Sequence, residues 1–158
     1  MLFKTYQKLL GASCLALYLV GCGGGESPIE MRTENNGEFQ INSKVDSVTI
    51  QGVKLNRGNC IVNFVPVEKV VERGGLSQIT PISMQDFKDV ASIYELFNEK
   101  KELANIENKI SQLKSKGVMI ELQTLKFGEK IKGFSKGCNI IEAEIQTNKG
   151  AWTFNFDR

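Results

Sequence analysis

The sequence predicts an α+β domain: a small antiparallel β-sheet or sandwich, with one long or two short helices inserted between two β-rich blocks. Three observations carry that expectation. β-Branched residues crowd the stretch from Val45 to Pro66. Apolar residues recur at helical spacing from about Met84 to Ser115. Strand-like alternation returns between Val118 and Phe156. The chain has 158 residues, 41% of them hydrophobic, enough for one domain with a real core. No self-similarity appears at the periods of solenoid repeats.

In the first block, the β-branched run predicts a strand over about Ser47–Leu55. Asn56-Arg57-Gly58-Asn59 is a turn signal, because asparagine and glycine tolerate the backbone angles of tight turns. Cys60 to Val65 then reads as a second strand, which Pro66 ends because proline cannot donate to a ladder.

The middle block repeats Phe87, Val90, Tyr94 and Phe97 at intervals of three and four, and again Leu103, Ile106, Ile110 and Leu113. Both are helix spacings. Ser83 or Pro81 marks a start, and Gly117 stands where a C-terminal stop belongs. Phe97 and Leu103 lie out of phase, so a break is expected near Asn98. Two heptads per stripe are too few for a coiled-coil arm, and the expectation is that the stripes pack on the sheet.

In the last block, "VMIELQTL" reads as a strand, "KFGEK" as a turn, "IKGF" as a short strand and "SKG" as a turn. "CNIIEAEIQ" and "AWTFNF" then form a hairpin around Asn148-Lys149. Its expected register sets Ile145 opposite Trp152, Ala143 opposite Phe154 and Ile141 opposite Phe156. Those six share one side and Glu142, Glu144, Thr153 and Asn155 the other. A one-residue slip would expose the aromatics, so the register is well specified.

The N-terminus differs from all of this. Met1–Lys8 is basic, and Leu9–Val20 is apolar apart from small residues. About twelve residues rise roughly 18 Å as a helix, short of a bilayer core of about 30 Å. A charged start followed by a short apolar run is the pattern of a secretory signal. It ends in Leu19-Val20-Gly21-Cys22, which resembles the lipobox of bacterial lipoproteins: an aliphatic residue, small residues, then cysteine. Cys14, after Gly11-Ala12-Ser13, lacks the aliphatic residue.

The resemblance implies cleavage before Cys22, lipid on its thiol and an acylated amino group. Two or more chains, at about 0.8 kcal/mol per buried methylene, anchor stably without a protein segment in the bilayer. Gly23 follows in place of an aspartate. By resemblance to Gram-negative lipoproteins, that favours the outer membrane over retention at the inner one.

The expected organisation is therefore a signal peptide over residues 1–21, a lipidated cysteine and flexible tether over 22–40, and one globular domain over 41–158. Gly23 to about Glu38 is polar and glycine-rich, and as a random coil its about sixteen residues span roughly 20–25 Å. Removing Lys4 and Lys8 from the 20 basic side chains leaves them equal in number to the 18 acids. A neutral body has no global field to draw in nucleic acid, and no nucleic-acid partner is expected.

With Cys14 removed and Cys22 lipidated, Cys60 and Cys138 remain. An exported chain with two remaining cysteines points to a disulfide, worth about 4.5 kcal/mol by the loop-entropy formula. The alternatives are two buried thiols or a redox pair, although redox pairs usually lie close in sequence.

The chain has no histidine, which removes the commonest general base and metal ligand and any nucleophile–histidine–acid triad. No G-x-S-x-G and no phosphate-loop motif occurs, and no EF-hand spacing. Neither a metal nor a cofactor is expected. Glu142 and Glu144 share a strand face but alternate with core residues, which reads as a solvated outer face rather than a carboxylate pair. Lys126, Lys130, Lys132 and Lys136 form a basic stretch opposed by Glu129, which reads as a solvated edge strand guarded against pairing rather than as a contact for lipid headgroups or an acidic partner surface. Trp152, Phe154 and Phe156 fit a core face better than a stacking platform.

Arg57 and Lys136, each at a turn, are the candidate partner contacts. The expectation is a non-enzymatic, lipid-anchored envelope protein that binds another envelope protein or serves an envelope or transfer machine. The alternative is an inhibitor, or an exclusion lipoprotein against phage or conjugation, using "NRGN" or "FSKG" as its inserting loop. A carboxylate-based hydrolase is the third reading.

Overall fold

The computed structural model describes residues 26–75 and 79–156. The expected leader, Cys14, the lipobox-like residues and Cys22 lie outside the described residues. The architecture is α+β, with seven strands in two antiparallel sheets and three helices among the described residues. None of the helices described is long and apolar enough to cross a membrane.

The first sheet holds three strands in the order β1–β2–β5: β1 (Ile29–Thr33), β2 (Glu38–Ser43) and β5 (Lys130–Phe134). Alternation sends Ile29, Met31, Phe39 and Ile41 inward, and leaves Arg32, Gln40 and Lys132 in register on the outer face. The second sheet has the order β4–β3–β6–β7: β3 (Ser47–Leu55), β4 (Gln123–Lys126), β6 (Glu142–Thr147) and β7 (Gly150–Asn155). Its Val48, Ile50, Val53, Leu55, Leu125, Ala143 and Ile145 join the first sheet's apolar residues in one core. A bulge between Ile50 and Gly52 explains how 48, 50, 53 and 55 all point inward.

The expected tether over 22–40 is corrected in its second half. Residues 29–33 and 38–43 form a hairpin whose Ile29 and Phe39 are core residues, so the domain includes them and does not begin at 41. The expected strand over Cys60–Val65 is also corrected. That segment is irregular, with isolated bridges from Cys60 to Leu55 and from Asn63 to Phe134. Its N–H groups are claimed by a side chain, as described below. The expected strand from Val118 begins only at Gln123, and the strand from Cys138 only at Glu142. Lys130–Phe134 is an edge strand carrying Lys130 and Lys132, in keeping with the guarded-edge reading.

The hairpin β6–β7 has the expected register, with Ala143 opposite Phe154, Ile145 opposite Trp152, and a two-residue turn at Asn148-Lys149. Phe156 N–H donates to Ile141 O at 2.9 Å, but Ile141 is 50% exposed and does not join the core.

Helix α1 (Val67–Glu72) follows Pro66 and has no counterpart among the expected elements. Helices α2 (Met84–Leu96) and α3 (Lys100–Lys116) take the two-helix form of the expectation, with the break at Asn98, whose φ is 59°. Ser83 caps α2 in a reciprocal capping box with Asp86, and Gly117 ends α3 in the left-handed conformation. The stripes do not pack on the sheet. Met84, Phe87 and Leu113 form their own cluster with Ile106, Ile110 and Val118, so α2 and α3 lie against each other as a hairpin.

The strands give the domain two ends. At one end lie Pro28, the loop at Ser43–Asp46, the β4–β5 turn and the β6–β7 turn. Lys44 N–H donates to Pro28 O at 2.8 Å, Gly128 N–H to Ser43 O at 3.0 Å, and Asn148 N–H to Thr49 O at 3.1 Å. At the other end lie the β1–β2 turn, the Asn56–Asn59 turn and the Phe134–Ile141 connection. There Ser135 N–H donates to Gly37 O at 2.9 Å.

Candidate functional site

Cys60 and Cys138 stand at the second end at disulfide distance, 2.05 Å between sulfurs and 78 residues apart in sequence. The bridge ties the irregular 60–66 segment to the connection that follows β5. Asn56 holds the same corner from the opposite side. Its Oδ1 accepts from Ile141 N–H at 2.9 Å and Glu142 N–H at 3.1 Å, and its Nδ2 donates to Asn139 O at 2.9 Å.

The 60–66 segment also carries the joint between sheet and helix. Asn63 exchanges two backbone bonds with Phe134, at 2.9 and 2.8 Å, and so extends the edge of β5 by one residue. Its amide donates to Asp86 at 2.9 Å and to Asp89 at 3.1 Å on α2. Asp86 is fully buried. Besides Asn63, its carboxylate accepts from the N–H groups of Phe64, Val65, Ile82 and Ser83 at 3.0–3.3 Å. An anion without a cation is tolerable in a protein interior when N–H donors surround it in this way.

This joint sets α2 beside the outer face of the first sheet and leaves a groove between them, about 1110 Å³ in volume. One wall is the cross-strand row Arg32–Gln40–Lys132. The other is α2, through Gln85, Asp89 and Ile93. Phe134 and Ile61, the latter 59% exposed, give it apolar surface. Lys136 Nζ reaches Glu68 Oε1 at 2.9 Å, and both residues line the groove. The hydrogen bond and charge of Lys136 hold the Glu68 carboxyl below its ordinary range, and the same pair holds the Lys136 ammonium above its own. Basic Arg32, Lys69, Lys132 and Lys136 are matched by acidic Glu34, Glu38, Glu68 and Asp89. A neutral, mixed-charge rim over an apolar floor suits a polypeptide segment better than a polyanion.

Of the two candidate contacts, Lys136 lines this groove and Arg57 does not. Arg57 sits at the exposed tip of the Asn56–Gly58 turn with a φ of 60°, paired to Glu142 at 3.3 Å. The structure also brings both cysteines onto the groove wall. Glu142 and Glu144 are engaged by Arg57 and Lys54 on the outer face of the second sheet. Among the described residues, no group of three or more metal-ligating side chains is assembled. Arg32, Gln40, Ile61 and Asp89 escape sequence reasoning because they come from four separate segments. The lysine stretch is the one signal that pointed at this wall.

Comparisons of the chain with protein-family models, with curated proteins and with solved structures find no match.

Proposed function

We propose that the protein is a lipid-anchored, non-enzymatic envelope protein whose domain binds a polypeptide segment of another envelope protein. The observation that carries this reading is the groove between the Arg32–Gln40–Lys132 row and α2. Its apolar floor and balanced rim fit a peptide. It also lies at the end of the domain opposite Pro28, where the described chain begins, so an anchor at Cys22 would leave it facing outward. The lipobox-like Leu19-Val20-Gly21-Cys22 supports the anchor, and the absence of histidine weighs against general-base chemistry.

The test is photo-cross-linking in native membranes. A photoreactive residue at Gln40 or Lys132 is expected to give a discrete adduct with an envelope protein. The same residue at Thr153, exposed on β7 of the other sheet, is expected to give none. Adducts from Thr153 alone, or from no position, would overturn the reading.

A second reading has one observation of its own. The Asn56–Asn59 turn is held by Asn56 and the neighbouring disulfide, and it presents Arg57 to solvent. A rigid presented loop is what an inhibitor or an exclusion lipoprotein needs. An adduct from position 57 and none from the groove would favour it.

A further inference from the structure

We infer that the end of the domain formed by the β4–β5 turn rests on the lipid headgroups, with Phe127 inserted at the interface. This rests on the reading of Cys22 as the lipidated residue and deepens it.

The structure describes the chain from Glu26, and Pro28 is already buried and bonded to Lys44. Four peptide steps separate Cys22 from Glu26, about 14 Å when fully extended. The polar layer of a bilayer takes up several ångströms of that on each side. A domain so tied cannot stand clear of the surface, and the end it brings down is the end where the chain enters.

Ser43 lies between the incoming chain and the turn: it pairs with Ile29, its N–H donates to Glu129 O at 2.9 Å, and its O accepts from Gly128. Phe127 begins this turn and is 68% exposed. An aromatic side chain left in water at a turn tip gains by entering the interface. The same end carries Lys44, Lys126, Lys130 and Lys149, against Glu26, Asp46 and Glu129. A basic majority favours an anionic leaflet, and lysine stems can reach up to phosphate groups. The body as a whole is neutral, so this excess is local.

β5 runs from Lys130 at this end to Phe134 at the groove, and β3 from Ser47 to the Arg57 turn. Seating Phe127 on lipid therefore points both recognition candidates away from the membrane.

The experiment uses the full-length protein purified from membranes, with intact mass to read the lipid on Cys22. It is reconstituted into vesicles of phosphatidylethanolamine and phosphatidylglycerol whose acyl chains are brominated near the headgroup. In a Trp152→Phe background, Phe127→Trp reports from the turn. Leu96→Trp reports from the α2–α3 tip, where Leu96 is 78% exposed. The expected result is blue-shifted, bromine-quenched emission from position 127 and unquenched emission from position 96. Hydrogen exchange on the unsubstituted chain reads the same contact: residues 127–129 slow in vesicles relative to detergent micelles, and residues 56–59 do not. Lipid on Cys22 with neither quenching nor slowing at the turn overturns the inference and leaves the anchor standing. A chain without lipid on Cys22 overturns both.

Discussion

The side-chain amide of Asn63 donates to the carboxylate of Asp86 at 2.9 Å, and that bond fastens the helical hairpin to the end of β5. Asp86 plays two parts at once. As the third residue of α2 it completes a capping box with Ser83, and as a buried anion it gathers four backbone N–H groups. Asp86→Asn is nearly isosteric but turns one acceptor into a donor that faces other donors. Hydrogen bonds to charged groups contribute about 1.5–3 kcal/mol each, so a loss of about 3 kcal/mol is expected in urea unfolding. Asp89→Asn, half-exposed and bonded to two amides, is expected to cost under about 1 kcal/mol. Equal losses from the two would mean that Asp86 is not the joint.

Gly133 lies on the inward face of β5 opposite Phe39. A Cβ there would collide with the Phe39 ring and lie 2.8 Å from Asn63 O. The space is already taken by the ring that packs edge-on against Phe64, with centroids 5.7 Å apart. Gly133→Ala is therefore expected to destabilise by about 1–3 kcal/mol, the usual range for overpacking, despite alanine's better strand propensity. Thermal unfolding checks it. A variant as stable as the parent would show that the sheet yields at this point.

Much of this fold is legible in the sequence, and the reasons are local. The break at Asn98 follows from two apolar stripes out of phase. The β6–β7 register follows from aromatics that must share a side. The β1–β2 hairpin carries a signal too, Asn36-Gly37 between the alternating pairs Ile29, Met31 and Phe39, Ile41. Composition hides it, because the neighbouring residues are polar and follow a glycine run. The bulge at Gly52 is written in the switch from even to odd apolar positions along β3. The groove is a different matter. Asn63 and Asp86 are 23 residues apart, and no periodicity links an irregular segment to a helix N-terminus. Their shared hydrogen bond, with those of Phe64 and Val65 to Asp86 and of Asn63 to Asp89, joins α2 to that segment.

The Glu68–Lys136 pair predicts a titration. Glu68 is held below its ordinary 4.5 by the hydrogen bond and charge of Lys136. A lowered carboxylate contributes stability above its unfolded value and loses it as the pH falls through the folded one. Lys136 is raised above its ordinary 10.5, so its contribution is present below that value and lost as the pH rises through the folded one. The pair therefore supports the groove across the neutral range and fails at both ends. Both side chains are well exposed, so salt weakens it. Carbon-detected titration of Glu68 is expected to show a midpoint below the ordinary value that returns toward it in Lys136→Met. A midpoint indifferent to that substitution would mean the two groups do not meet in solution.

Asn56 and the Cys60–Cys138 bridge close the same corner by separable means. Removing the bridge as Cys60→Ser with Cys138→Ser is expected to cost about 2–5 kcal/mol, because its loop spans most of the domain. Before that, the oxidised chain should gain about 2 Da on reduction, one hydrogen per sulfur. Asn56 acts on access instead. Its side chain spans Asn139, Ile141 and Glu142, just past Cys138, and its Nδ2 lies 3.4 Å from Cys60 Sγ and 3.5 Å from Cys138 Sγ. Asn56→Ala frees the N–H groups of Ile141 and Glu142 and removes the amide that lies against both sulfurs. Thiol–disulfide exchange is limited by such access, so dithiothreitol is expected to reduce Asn56→Ala several-fold faster than the parent. Asn56→Asp keeps an acceptor for both N–H groups but sets a carboxylate against Asn139 O and the attacking thiolate. It should unfold more easily than the parent yet reduce more slowly than Asn56→Ala. If both variants are reduced at the parent's rate, the bridge is shielded by the groove wall alone, and Asn56 serves only the turn that carries Arg57.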